Sequence, residues 1–183
     1  THVKLEMGND RNTSTGPESA TMRTKDEQAN VLRNPGWQLA ADAKKINPDI
    51  VAWIRIPDTS IDYPVVQGND DSYYLTHTFK KAEHVAGAIF LDSDNNADFS
   101  DDKNIIYGHN MKDGSMFRGL RNFLDDEFLK EHHILYLYLP DEGVWIFVIV
   151  KCEYTPADGD AFLLGTQEEV PTGSQRCQMH QMH

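Results

Sequence analysis

The chain has 183 residues, of which 39% are hydrophobic and 10% aromatic, enough for one domain with a packed core and too apolar for a wholly disordered acidic protein. Acidic residues number 29 against 17 basic ones, and the net charge of −12 argues against duplex nucleic acid or an anionic bilayer as the main partner, since both demand clustered Lys and Arg. Two cysteines, Cys152 and Cys177, are too few for a disulfide scaffold or a four-cysteine zinc site, and they leave room for a reactive thiol.

Residues 1–34 are rich in Thr, Asn, Glu, Asp and Arg and lack aromatic residues and sustained apolar periodicity, so they are predicted to be a disordered leader or stalk. The run WQLAADAKKI, 37–46, has helical character and is stopped by Asn47-Pro48, because the residue before proline avoids the α region. Short β-branched segments then follow at 50–56, 61–66, 88–91, 104–107, 134–139 and 144–154, separated by turn chemistry such as Pro57-Asp58. The most apolar run, 144–150, is strand-sized and too short to cross a membrane. A helix is predicted over 115–131, with Met116, Phe117, Leu120, Phe123, Leu124 and Phe128 at steps of three and four and Ser115 as its cap. Residues 166–183 are predicted to form an irregular tail, foreign to the fold. The domain is therefore predicted to span 35–165, mainly β with peripheral helices, as an antiparallel sandwich or barrel.

The segment NIIYGHNMKDGSMF, 104–117, delivers His109 at a strand end beside Gly108. Strand ends and their loops are where sheet proteins keep catalytic groups, and imidazole is the side chain that exchanges protons near neutral pH. Together with NPDIVAWIRIPDTSIDYPVVQG (47–68), SYYLTHTF (72–79) and GAIFLD (87–92), this segment resembles the class B sortases, cysteine transpeptidases of the Gram-positive cell surface. The resemblance covers about 37–164 and implies a closed β-barrel. It implies no metal and no cofactor. It also implies the partners: a sorting-signal peptide of the NPxTx kind on a secreted protein, and a cell-wall or pilin amine as acceptor. His109, in the YGHNM block, would be the general acid acting with a cysteine thiolate and an arginine. Leu75 corresponds to a region that lines the substrate groove in that family, against its reading as an ordinary core leucine. The family's membrane anchor would place the protein on the outer face of the cell membrane, with 1–34 as the remnant of a stalk.

The pattern breaks after His109, where no TLSTC-like strand is followed by an Arg. Cys152 reads as a barrel thiol of low reactivity, and Cys177, preceded by Arg176, is the remaining candidate nucleophile. The sequence leaves two explanations: the chain is truncated, with a foreign tail, so that the barrel lacks its last strands, or it is a diverged module that binds a sorting signal without cleaving it. Three further features read as structure. DSDNNADFSDDK, 92–103, imitates a calcium loop but has Ala97 in place of the turn glycine and Lys103 in place of the bidentate Glu, so a solvated acidic loop is expected. Cys177, His180 and His183 have ligand-like spacing on an unstructured end. Arg118 and Arg121 are explained by a helix surface.

Overall fold

In a computed structural model of the chain, residues 2–8, 36–140, 143–155 and 174–181 are described. The elements in order are β1 (His2–Gly8), α1 (Gly36–Ile46), β2 (Ile50–Arg55), β3 (Asp62–Gln67), α2 (Tyr73–Thr76), β4 (Ile89–Leu91) and β5 (Lys103–His109). A 3-10 helix (Phe117–Leu124), α3 (Asp126–Glu131), β6 (Ile134–Leu139), β7 (Gly143–Thr155) and β8 (Ser174–Gln181) follow. The strands close into a barrel in the order β1-β5-β4-β3-β2-β6-β7-β8, with β8 returning to β1. The β1–β8 and β3–β4 pairs are parallel and the others antiparallel. Among the described residues, no helix is long and apolar enough to cross a membrane.

The six strands predicted between 50 and 154 are all present, because their β-branched and aromatic residues suit a pleated, packed surface. The closure of the barrel differs from the prediction. It is made by β1 and β8, which lie in the two segments expected to fall outside the fold. In β1, Leu5 and Met7 are fully buried, and Glu6 between them is buried too, paired with Lys4 at 3.3 Å and Lys103 at 3.2 Å. Charges that read as solvent exposure are neutralised inside the ladder. β8 is a polar string held by its backbone ladders to β7 and β1, which ask nothing of side-chain polarity. The rest of both end segments, including residues 162–164 and His183, lies outside the described residues.

The helix predicted over 115–131 is two elements. Met116, at φ 56, turns the chain before any helix starts, so Ser115 caps nothing. Phe117, Leu120 and Phe123 then recur every three residues and are all buried, which is the eclipsed side-chain period of a 3-10 helix. Asp125 is extended and restarts the chain as α3, its carboxylate accepting hydrogen bonds from the backbone N–H groups of Glu127 at 3.0 Å and Phe128 at 2.9 Å.

Two apolar clusters pack on opposite faces of the sheet. The inner one fills the barrel with Leu5, Ile54, Val65, Ile106, Leu137 and Phe147 and is plugged by Phe117, Leu120 and Phe123. The outer one gathers Ala43 of α1 and Tyr74 of α2 against Ile50, Val66, Ala88 and Phe90. Tyr74 also anchors a polar network. Its hydroxyl donates to Asp49 Oδ2 at 2.6 Å and accepts from the buried Asn47 Nδ2 at 2.9 Å, which also donates to the Phe79 carbonyl at 2.8 Å. Gly87, at φ +57, closes the turn under α2, where a side chain would meet the Tyr74 and Leu75 carbonyls.

Candidate active site

Along β5, Asn104, Ile106 and Gly108 are buried toward the barrel interior, and the alternation sets Ile105, Tyr107 and His109 on the other face. A side chain at Gly108 would collide with Ile89 and come within 2.7 Å of Phe117, so glycine lets the strand end pass over the 3-10 helix. His109 is half-buried, and its Nε2 is shielded from solvent. The face it shares is tightly held. The Tyr107 hydroxyl donates to Asp92 Oδ2 at 2.8 Å, and burial together with that carboxylate keeps the phenol protonated well above its ordinary range.

The loop after His109 is built from the motif's own residues. Asn110 bridges Met116, the Asp113 carboxylate accepts from the Ser115 hydroxyl at 2.6 Å and its N–H at 3.0 Å, and Met116 N–H donates to the Tyr63 hydroxyl at 3.1 Å. The Ser115 hydroxyl and N–H hold the Asp113 carboxyl below the usual carboxylate range. Arg118 Nη1 donates to Asn110 Oδ1 at 3.1 Å, so a residue that reads as plain helix surface is tied to the residue beside His109. Arg121 is exposed. The Arg118–Asn110 link had no signal in the sequence beyond a spacing of eight residues.

The structure does not bring the sulfur candidates up to His109. Cys152 is disulfide-bonded rather than a free thiol, and the register sets Cys177, the other cysteine, directly across the ladder from it. Cys152 packs against the inner cluster, with its Sγ 3.4 Å from the Leu120 carbonyl oxygen, a contact a disulfide sulfur makes without a proton to donate. Its strand is three ladder steps from β5. Cys177 faces Leu5, which faces Ile106, so the backbones of His109 and Cys177 are three residues and two strands apart, or roughly 14 Å. Leu75 is half-buried against the outer cluster. In the acidic loop, carboxylates are spent on the loop itself: Asp92 accepts from Asp94 N–H, Asp98 from Ser100 N–H, and Asp101 from Asn95 and Asn96.

Comparison with known proteins gives two kinds of match. The family model of glycosyl hydrolase family 59 matches residues 1–136. Sortase B of Listeria monocytogenes is 53% identical over 91 residues, which are 50% of this chain and 37% of that protein. The X-ray structure of Clostridium perfringens sortase B superposes with a TM-score of 0.59 at 39% identity, covering 63% of this chain and 62% of that one. A Staphylococcus aureus sortase B-substrate complex superposes with a TM-score of 0.60 at 27% identity, covering 74% and 68%. The chain spans well under half the length of the curated relatives it matches.

The two kinds of match disagree: the family model names a glycosyl hydrolase, whereas the curated relatives are sortases and solved sortase B structures superpose on 63% and 74% of this chain.

Proposed function

This chain belongs to the class B sortases, and from that premise we propose that it takes part in transpeptidation of a sorting-signal peptide, with His109 as the proton donor. A cysteine thiolate attacks the carbonyl carbon of a threonine residue in the signal, the peptide C–N bond breaks, and a thioester forms. The departing amine takes its proton from the His109 imidazolium. An amine of the cell wall or of a pilin then attacks the thioester and releases the thiol. The signal is of the NPxTx kind, and the working site is the outer surface of a Gram-positive cell membrane. The observation that supports this reading is His109 itself: an imidazole at a strand end, in a loop braced by its own motif, with Nε2 kept from water.

Cys177 is the candidate thiol. A second reading, a module that binds the signal without cleaving it, is favoured by the disulfide at Cys152 and by the distance between the His109 and Cys177 backbones. Reduced protein incubated with a fluorogenic NPxTx peptide and an amine acceptor tests both. Ligated product that disappears in H109A and in C177A supports transpeptidation. Cleavage that survives H109A removes the assigned role, and saturable peptide binding without product establishes the second reading.

A further inference from the structure

An open cleft of about 510 Å³ lies between the β2–β3 turn and the 3-10 helix, lined by Asp58, Thr59, Ser60, Arg118, Arg121 and Asn122, with Gly114 and Gly119 completing it. The two glycines shape it. A side chain at Gly119 would come within 3.1 Å of Thr59, tighter than ordinary packing, so glycine eases the close approach of helix and turn, and Gly114 sits at φ +90 at the lip. Both hydroxyls are already committed as donors, Thr59 to the Ile56 carbonyl at 2.7 Å and Ser60 to the Gly114 carbonyl at 2.8 Å. A hydroxyl has one proton to donate whereas a guanidinium has five, so Arg118, with one N–H spent on Asn110, and Arg121 still bring cationic donors to the cleft, beside the Asn122 amide. Two cations side by side stand out in a chain carrying a net charge of −12.

We propose that this cleft is a carboxylate-binding subsite that takes the carboxyl group of a peptide or amino-acid derivative. Guanidinium forks match planar carboxylates bidentately. Asp58 on the rim, paired with His132 Nδ1 at 2.9 Å, selects against a more highly charged phosphate, because its own carboxylate repels a dianion. The hydrogen bond from Arg118 to Asn110 holds one guanidinium in place and sets the subsite beside the residue that follows His109. The subsite does not depend on which cysteine acts, or on whether any does.

Backbone-amide NMR on the full chain tests it, with N-acetylalanine, N-acetylalaninamide and inorganic phosphate as probes. Saturable shifts at residues 58–60 and 114–122 are expected with N-acetylalanine and not with the amide, and R121Q and R118Q should each weaken the affinity about tenfold, the loss of one charge-assisted contact. Arg121 is exposed, so R121Q keeps the test independent of any loss of fold in R118Q. The proposal is overturned if the amide shifts the same residues with the same affinity, if phosphate binds more tightly than N-acetylalanine, if R121Q leaves the affinity unchanged, or if no probe gives saturable shifts.

Discussion

The two faces of the barrel wall are held by different physics. The inner cluster is almost entirely apolar and is closed by a helix whose three buried residues recur at one period. The outer cluster is small and is completed by hydrogen bonds among Asn47, Asp49 and Tyr74. His109 belongs to the outer face, where charge and polarity are tolerated, and not to the dry interior. A barrel interior this tightly filled leaves no room for proton-transfer chemistry, so the reactive groups of such a fold must work on the side where polar partners are available.

The contrast can be broken at several points. Phe117→Ala, which empties a fully buried ring site under Gly108, should cost about 4 kcal/mol in denaturant unfolding, with the m-value unchanged. Tyr74→Phe keeps the ring and removes only the hydroxyl, leaving the buried Asn47 amide one partner short. A loss of about 1.5 kcal/mol is expected, and a neutral result would mean the outer face is held by packing alone. Asp125→Ala removes the cap of α3 and should cost about 1 kcal/mol in the same assay.

The smallest effect is one of pH. Burial pushes the Asp49 carboxyl up, but the Tyr74 hydroxyl and the Lys81 ammonium at 2.9 Å outweigh it, and the group titrates below its ordinary value. Its stabilisation is therefore present above the unfolded carboxylate value of about 3.9 and is lost as pH falls through the lower folded value. Urea midpoints compared at pH 7 and pH 3 should differ less in Asp49→Asn than in the parent chain. An unchanged difference would show that the outer network does not report on acid.

Most of the wall was legible in the sequence, because short β-branched runs at 50–56, 104–107 and 134–139, bounded by turn chemistry, mark strands directly. The 3-10 helix was misread as α-helix since steps of three satisfy both periods over a few residues, and only the backbone at Met116 and Asp125 separates them. The outer face was not legible, since Asn47, Asp49 and Tyr74 look like ordinary turn and surface residues until the fold brings them together. In the candidate site, His109 was legible through its motif. The Asn110–Arg118 bond was not, because a spacing of eight residues marks no contact by itself, and the Asp58–Arg121 cleft was not, because it joins a turn and a helix that are distant in sequence. Strand β1 was missed because its alternation, Leu5 and Met7 about Glu6, is only a few residues long inside a polar stretch, and β8 because its polar sequence is held by pairing geometry rather than by side-chain character.

That last pair governs the order in which the molecule assembles. Closing the wall requires residue 5 to meet residue 177, a contact spanning nearly the whole chain, whereas β2–β3 and β6–β7 need only short hairpins. Loop-closure entropy defers so distant a contact until the remainder of the wall has formed, and folds dominated by such contacts form slowly. The amides of β1 and β8 should therefore gain hydrogen-exchange protection last during refolding, and the barrel should exist for a time as a curled, unsealed sheet with both seam edges open to solvent.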